Sequence, residues 1–169
     1  DPLQLRTGRE QLESRLGRAA VDSLSERWLA FKASLVTQFV ETLRGHLNQV
    51  RPGMPLSAAV KPDIGQAYRT YAQDWTRWVR QGQLDFVVPM AYSSKPGLVY
   101  DQIEAACLAV GAGNVWAGIR AWDTTVSQTM ERAHRIEPLG AGGISFFSYN
   151  GMENNRQFFQ SVRAWMLGR

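Results

Sequence analysis

Apolar positions along the chain follow two alternating rhythms. In "DSLSERWLAFKASLVTQFVETLRGHLNQVRPG", residues 22–53, Trp28, Leu35, Val36, Phe39, Val40, Leu43, Leu47 and Val50 recur at spacings of three and four. That is the period of one helix face, so the segment reads as a helix with a single apolar stripe. Asp22 or Ser23 can cap it, Ser23 with Glu26 fits a capping box, and Pro52 with Gly53 stops it. A shorter, highly charged helix, "TGREQLESRLGR", precedes it, and residues 1–27 read as a peripheral helical segment. Beyond residue 53 the rhythm changes. "PLSAAV" (55–60), "LDFVVPMAY" (84–92), "VWAGIRAW" (115–122) and "GISFFSYNG" (143–151) are short apolar runs bounded by glycine, proline or polar residues, and read as strands. The segments "YRTYAQDWTRWVRQG", "GLVYDQIEAACLAVGAG", "TTVSQTMERAHRIEPLG" and "NNRQFFQSVRAWML" read as helices, the third capped by Asp123 or Thr124.

Strand centres near Ala58, Val87, Gly118 and Phe146 repeat at roughly 30 residues, the length of a βα unit. Such alternation predicts an α/β fold with a parallel sheet and right-handed crossovers. Two architectures fit, an open doubly wound parallel sheet and a TIM-type (β/α)8 barrel. The small residues Ala58, Ala59, Ala91, Ala117 and Gly118 suit a tight curved interior. No glycine-rich fingerprint follows a strand, and Gly140, Gly142 and Gly143 precede one, the wrong order for a phosphate loop. That favours the barrel. A barrel needs eight units and about 250 residues. The 169 residues show four, so the chain is expected to be one domain, 1–169, holding half a barrel. Self-association, or a missing half-barrel, would complete it.

Composition narrows the chemistry. A 44% hydrophobic, 20% charged chain is globular. The net charge of +4 is mild, and its basic residues are scattered with no run that would track a phosphate backbone, which argues against nucleic acid. Cys107 stands alone in "IEAACLAVG", leaving no disulfide and no cysteine cluster for zinc. His46 and His134 sit in helical patterns far apart. No apolar run approaches 18 residues, so no transmembrane segment is expected in this chain.

In a parallel barrel, active sites lie at the carboxyl ends of the strands. The first strand ends at Lys61 and Asp63, the second at Met90, Tyr92 and Ser93, the third at Arg120, Trp122 and Asp123, the fourth at Ser148, Tyr149 and Asn150. Aromatic faces stack on the C–H faces of sugars while amides and charged groups hydrogen-bond their hydroxyls, so a polysaccharide or oligosaccharide is the expected ligand. Lys61, Met90, Tyr92, Arg120, Trp122, Ser148, Tyr149 and Asn150 are the candidate substrate contacts. Glycoside cleavage uses two carboxyl groups. Asp63 and Asp123 are the candidate catalytic carboxylates, though each also fits a turn or helix cap. Asp85 begins its strand and so belongs to the opposite face, and Asp74 lies on a helix with Trp75 and Trp78.

The blocks "PLSAAV", "YAQDWTRWVRQGQLDFVVPMAYS", "VWAGIRAW" and "GGISFFSYNGM" together resemble the second half of the glycosyl-hydrolase-10-like family of bacterial envelope proteins, often lipoproteins, with (β/α)8 barrels. The most specific element runs from Tyr71 to Tyr92, and the resemblance covers residues 28–152. It implies that this chain holds strands five to eight, and that the expected acid of the family, an acidic residue before an Arg-Tyr-Pro turn in strand four, lies upstream of Asp1. It further implies that Tyr92, Arg120, Trp122, Tyr149 and Asn150 contact sugar. The implied activity is hydrolysis of an envelope glycan, peptidoglycan or exopolysaccharide, in the periplasm or outside the cell, with no metal or organic cofactor. The chain alone is expected to be inactive; a non-catalytic glycan-binding barrel is the alternative.

Overall fold

In a computed structural model, the backbone of residues 2–168 and the side chains of residues 8–168 are described. Two helices come first, α1 (Pro2–Leu16) and α2 (Arg18–Val50). Then follow β1 (Ser57–Val60), α3 (Ile64–Tyr71), α4 (Trp75–Arg80), β2 (Phe86–Ala91), α5 (Pro96–Val110), β3 (Trp116–Arg120), α6 (Val126–Ile136), β4 (Gly143–Phe147) and α7 (Arg156–Leu167). The four strands form one sheet in sequence order, every neighbouring pair parallel.

Register decides which side chains share a face. Ala58, Val60, Val87, Pro89, Ala91, Ala117, Ile119, Ile144 and Phe146 lie on one face. Val60, Val87, Ala91, Ala117 and Ile119 are buried there in one core with Trp75, Trp78, Val99, Ile103 and Ile136 from the helices. Phe86, Val88, Met90, Trp116, Arg120 and Phe147 point the other way, where no helix of the described residues covers them. A doubly wound sheet carries helices on both faces. One covered and one open face instead make a partial barrel. The small residues expected to line its interior are divided: Ala58, Ala91 and Ala117 let helices approach, and only Ala59 and Gly118 face the open side.

Local structure departs from the sequence expectation in three helices. α2 starts at Arg18, ahead of the predicted caps, and Asp22 instead receives Arg9 from α1. Its apolar stripe is also two faces: Ala33, Thr37 and Val40 turn inward, whereas Trp28, Phe31, Leu35, Phe39 and Leu43 are 41–66% exposed. The single helix predicted over residues 68–82 breaks between α3 and α4, where Ala72 is left-handed at φ 56°. The break is bought by tertiary bonds. The Gln73 side chain accepts from the Lys61 amide (2.9 Å) and the Trp75 indole donates to the Lys61 carbonyl (3.2 Å), pinning the end of β1. α6 is capped by Thr125 in a capping box with Gln128, so neither Asp123 nor Thr124 is the cap.

Two backbone features set the sheet. Pro89 lies inside β2, and the ladder to β3 is interrupted there, between the pairs Val87–Val115 and Met90–Gly118. The missing proline N–H therefore falls in a gap. At the same place a Cβ on Gly118 would lie 2.7 Å from the Pro89 carbonyl oxygen, which only glycine permits. At the amino ends of the strands, Asp85 accepts from Arg44 of α2 and from the Leu56 amide, joining α2, β1 and β2.

Two outcomes follow. Gly118→Ala forces the strands apart and should lower unfolding free energy by about 1–3 kcal/mol, read by urea denaturation. The Arg44 guanidinium, then the Leu56 amide, hold the Asp85 carboxyl below its ordinary value of 3.8. A depressed folded pKa stabilises above the ordinary value and is lost as pH falls through the folded one. Stability should thus fall on acidification below about pH 4, and Asp85→Asn should flatten that limb; an acid limb unchanged by the substitution would contradict the linkage.

Candidate functional site

The carboxyl ends of β2, β3 and β4 converge. Since Met90 pairs with Gly118, Tyr92 is level with Arg120, and Arg120 pairs with Phe147. Tyr92, Arg120 and Phe147 therefore form one row across three strands on the open face. Strands two apart in a flat sheet are separated by about 9.6 Å. Yet the Tyr92 and Phe147 rings stack with centroids 5.3 Å apart and planes 12° apart. The open face is thus concave, and the rings close over the strand between them. Trp122 completes the group edge-on, 5.2 Å from Tyr92 and 5.7 Å from Phe147. A Cβ on Gly151 would lie 2.8 Å from Trp122 Cα, so the turn Tyr149–Gly151 packs directly on this tryptophan.

Charge enters beside the rings. Arg120 Nη2 and Asp123 Oδ1 form an ion pair at 2.5 Å, and the guanidinium carbon of Arg120 lies 5.4 Å from the Trp122 ring centroid, within cation–π range. Its Nη1 donates to the Tyr92 carbonyl at 3.5 Å, a marginal bond. Burial pushes the Tyr92 hydroxyl above its ordinary pKa, so it remains a neutral donor at physiological pH.

The structure brings together Tyr92, Arg120, Trp122 and Asp123, with Met90 on the same face one step lower. Tyr149 and Asn150 are exposed on the adjoining turn, and Ser148 precedes it. The first strand end is different. Lys61 turns toward α3, with its ammonium 4.7 Å over the Tyr71 ring. Asp63 is the N-cap of α3 and accepts from the Gln66 amide at 2.7 Å.

Two residues with unusual surroundings escape sequence reading. Phe147 looks like one more apolar strand residue, yet it is 51% exposed and supplies the stacking partner of Tyr92. Strand parity was the available signal, because Phe147 shares the face of Ser145 and Gly143. Arg132, inside α6, is 6% exposed, and the Nε and Nη1 of its guanidinium lack hydrogen-bond partners. No local pattern distinguishes it from the surface arginines.

Among the described residues no group of three or more His, Cys, Asp or Glu is placed to hold a metal. Cys107 is half-buried, and burial, with Glu104 adding to it, pushes its thiol up, which suits packing over reactivity. A cavity of about 630 Å³ lies between α2 and α3 and is lined by Arg27, Leu29, Tyr68 and Arg69, none of them in the aromatic group. Another, about 390 Å³, is lined by Asp63, Ile64, Leu98 and Gln102. Neither takes in the Tyr92–Trp122–Phe147 group, which is an open surface because the sheet is open.

No curated protein matches the chain. Among solved structures it is similar to the PgaB (BpsB) glycoside hydrolase domain from Bordetella bronchiseptica, at a TM-score of 0.68 and 15% identity, over 82% of this chain and 43% of that one. The chain thus spans less than half of that domain's chain, and the likeness is one of fold. Residues 6–115 match the family described as glycosyl hydrolase-like 10, which takes in β1, β2 and Tyr92 and stops before β3. As that match covers well over half of the 169 residues, the chain belongs to the glycosyl hydrolase-like 10 family.

Proposed function

We propose that the chain forms part of a glycoside hydrolase that cleaves a bacterial cell-envelope glycan, a peptidoglycan strand or an exopolysaccharide, by carboxylate acid–base chemistry. The observation that carries this reading is the row Tyr92–Arg120–Phe147 with Trp122 above it, on a concave face at the carboxyl ends of parallel strands. Stacked and edge-on rings offer apolar faces to a pyranose, and the neighbouring guanidinium and tyrosine hydroxyl serve its oxygens. Tyr149, Asn150 and Ser148 would extend the contact along the rim. Family membership and the similar glycoside hydrolase domain support the same class.

The main catalytic acid, on this reading, lies outside residues 1–169. Asp63 is engaged as a helix cap and Asp123 as the partner of Arg120. Asp123 is nevertheless the carboxylate beside the rings, and so the one whose catalytic role should be tested. The same engagement of both carboxylates favours, as a second reading, a barrel that binds glycan without cleaving it. An envelope glycan places the protein in the periplasm or outside the cell; no helix of the described residues is long and apolar enough to cross a membrane.

The test is release of reducing ends from peptidoglycan and exopolysaccharide by the full-length protein. Turnover is expected there and not with residues 1–169 alone. Oligosaccharide binding without turnover selects the second reading, and neither binding nor turnover defeats both. Trp122→Ala should weaken oligosaccharide binding about tenfold, the loss of about 1.4 kcal/mol, measured by calorimetry. Residues 1–169 expressed alone should self-associate through the open sheet face; a monodisperse monomer in sedimentation velocity would contradict this.

A further inference from the structure

Trp122 closes the aromatic group, yet it stands beyond the strand that leads to it. β3 ends at Arg120, and the last bond joining this segment to β4 runs from the Ala121 amide to the Phe147 carbonyl, at 2.6 Å. The next regular element is α6, whose cap is Thr125. Residues 122–124 therefore span a gap between a ladder and a helix. The Trp122 ring is 40% exposed and meets Tyr92 and Phe147 at nearly right angles. Such contacts orient a ring without fixing the backbone that carries it.

The turn after β4 supplies the missing support. Tyr149–Gly151 is one tight helical turn. The Gly151 amide donates to the Ser148 carbonyl at 3.1 Å, and the Met152 and Glu153 amides donate to the Tyr149 carbonyl at 2.8 and 2.9 Å. Two consecutive residues here meet two consecutive residues at the end of β3. Gly151 lies against Trp122, and a Cβ there would stand 2.8 Å from both the Cα and the Cβ of the tryptophan. Those atoms cannot swing aside as a side-chain tip can, so an added methyl must push the tryptophan or the turn. Met152, 5% exposed, shares a small core with Ala121 and with Phe158 of α7, apart from the main core. Phe158 is held in turn by Phe146 of β4, edge-to-face with centroids 5.4 Å apart, and its amide donates to Asn155 Oδ1 at 3.0 Å.

We propose that Gly151 and Met152 are positioning residues of the glycan site. Together they set where Trp122 stands against Tyr92 and Phe147. Neither acts through a side chain that reaches the ligand, because Gly151 has none and Met152 is buried. This rests on the glycan reading above and names what governs the geometry of that site. A ring held in place before the sugar arrives loses less freedom on binding. The same turn carries Tyr149 and Asn150, so one anchored segment sets both the platform and its rim.

The experiment incorporates a fluorinated tryptophan into the full-length protein and follows fluorine NMR without ligand. The resonance missing from Trp122→Phe reports on Trp122. Gly151→Ala should shift or broaden that resonance and leave the other tryptophan signals in place. Its affinity for a peptidoglycan-derived tetrasaccharide, measured by calorimetry, should fall about tenfold, as for Trp122→Ala. The double variant should fall no further, since both changes remove one interaction. Met152→Leu keeps the volume and should retain signal and affinity. Met152→Ala should reproduce the effect of Gly151→Ala, which keeps the claim testable if Gly151→Ala does not fold. A Trp122 resonance unmoved in both variants, or losses that add in the double variant, overturns the positioning role. A moved resonance in a protein whose wild type binds neither this tetrasaccharide nor exopolysaccharide fragments defeats the glycan reading and leaves the hold on Trp122 standing.

Discussion

The close approach of β2 and β3 at Pro89 and Gly118 is the constraint on which the site depends. A proline in a central strand forfeits a ladder bond, and the sheet accommodates it by leaving two positions unpaired and letting the backbones nearly touch. Pairing resumes at Met90–Gly118 and Ala91–Ile119, which fixes the level of everything above. Tyr92 then stands opposite Arg120, Arg120 opposite Phe147, and Trp122 one step higher. A slip of one residue would send Tyr92 to the helical face, where Ala91 now sits with no exposure at all.

The opposite end of the sheet is held by different means. Asp85 gathers Arg44 and the Leu56 amide, and Trp78 reaches from α4 to the Thr37 hydroxyl of α2 at 2.9 Å. At the carboxyl end of β1, Gln73 and Trp75 grip the backbone of Lys61. These bonds tie α2, α4, β1 and β2 into one rigid layer. The open face, by contrast, is held only by its own rings. The bonds that hold the sheet thus lie at its amino ends and along β1, apart from the Tyr92–Trp122–Phe147 group on β2 to β4.

Much of this was legible in the chain. Strand–helix alternation gave the parallel order, and counting to the strand ends reached Tyr92, Arg120 and Trp122. What escaped has a physical reason each time. Ala72 favours a helix, and only tertiary bonds from Gln73 and Trp75 to Lys61 outweigh that preference. The stripe on α2 looked single because spacing reports that apolar residues recur, not whether one side or two will be covered. Asp123 was plausible as a cap until Thr125, with Gln128 three residues on, completed a better one. Phe147 and Arg132 draw their significance from neighbours on other elements, and contacts between strands and helices leave no trace in local periodicity.

The amino ends of the strands carry rings of their own. Trp116 stacks on Phe86 at 4.8 Å, and its indole lies so close over Gly143 that a Cβ there would meet the ring at 2.7 Å. All three belong to the open face, at the end away from Trp122. Rings therefore stand at both ends of the open face, Phe86 and Trp116 at the amino ends and Tyr92, Trp122 and Phe147 at the carboxyl ends, so whatever covers that face meets aromatic surface at either end of the strands.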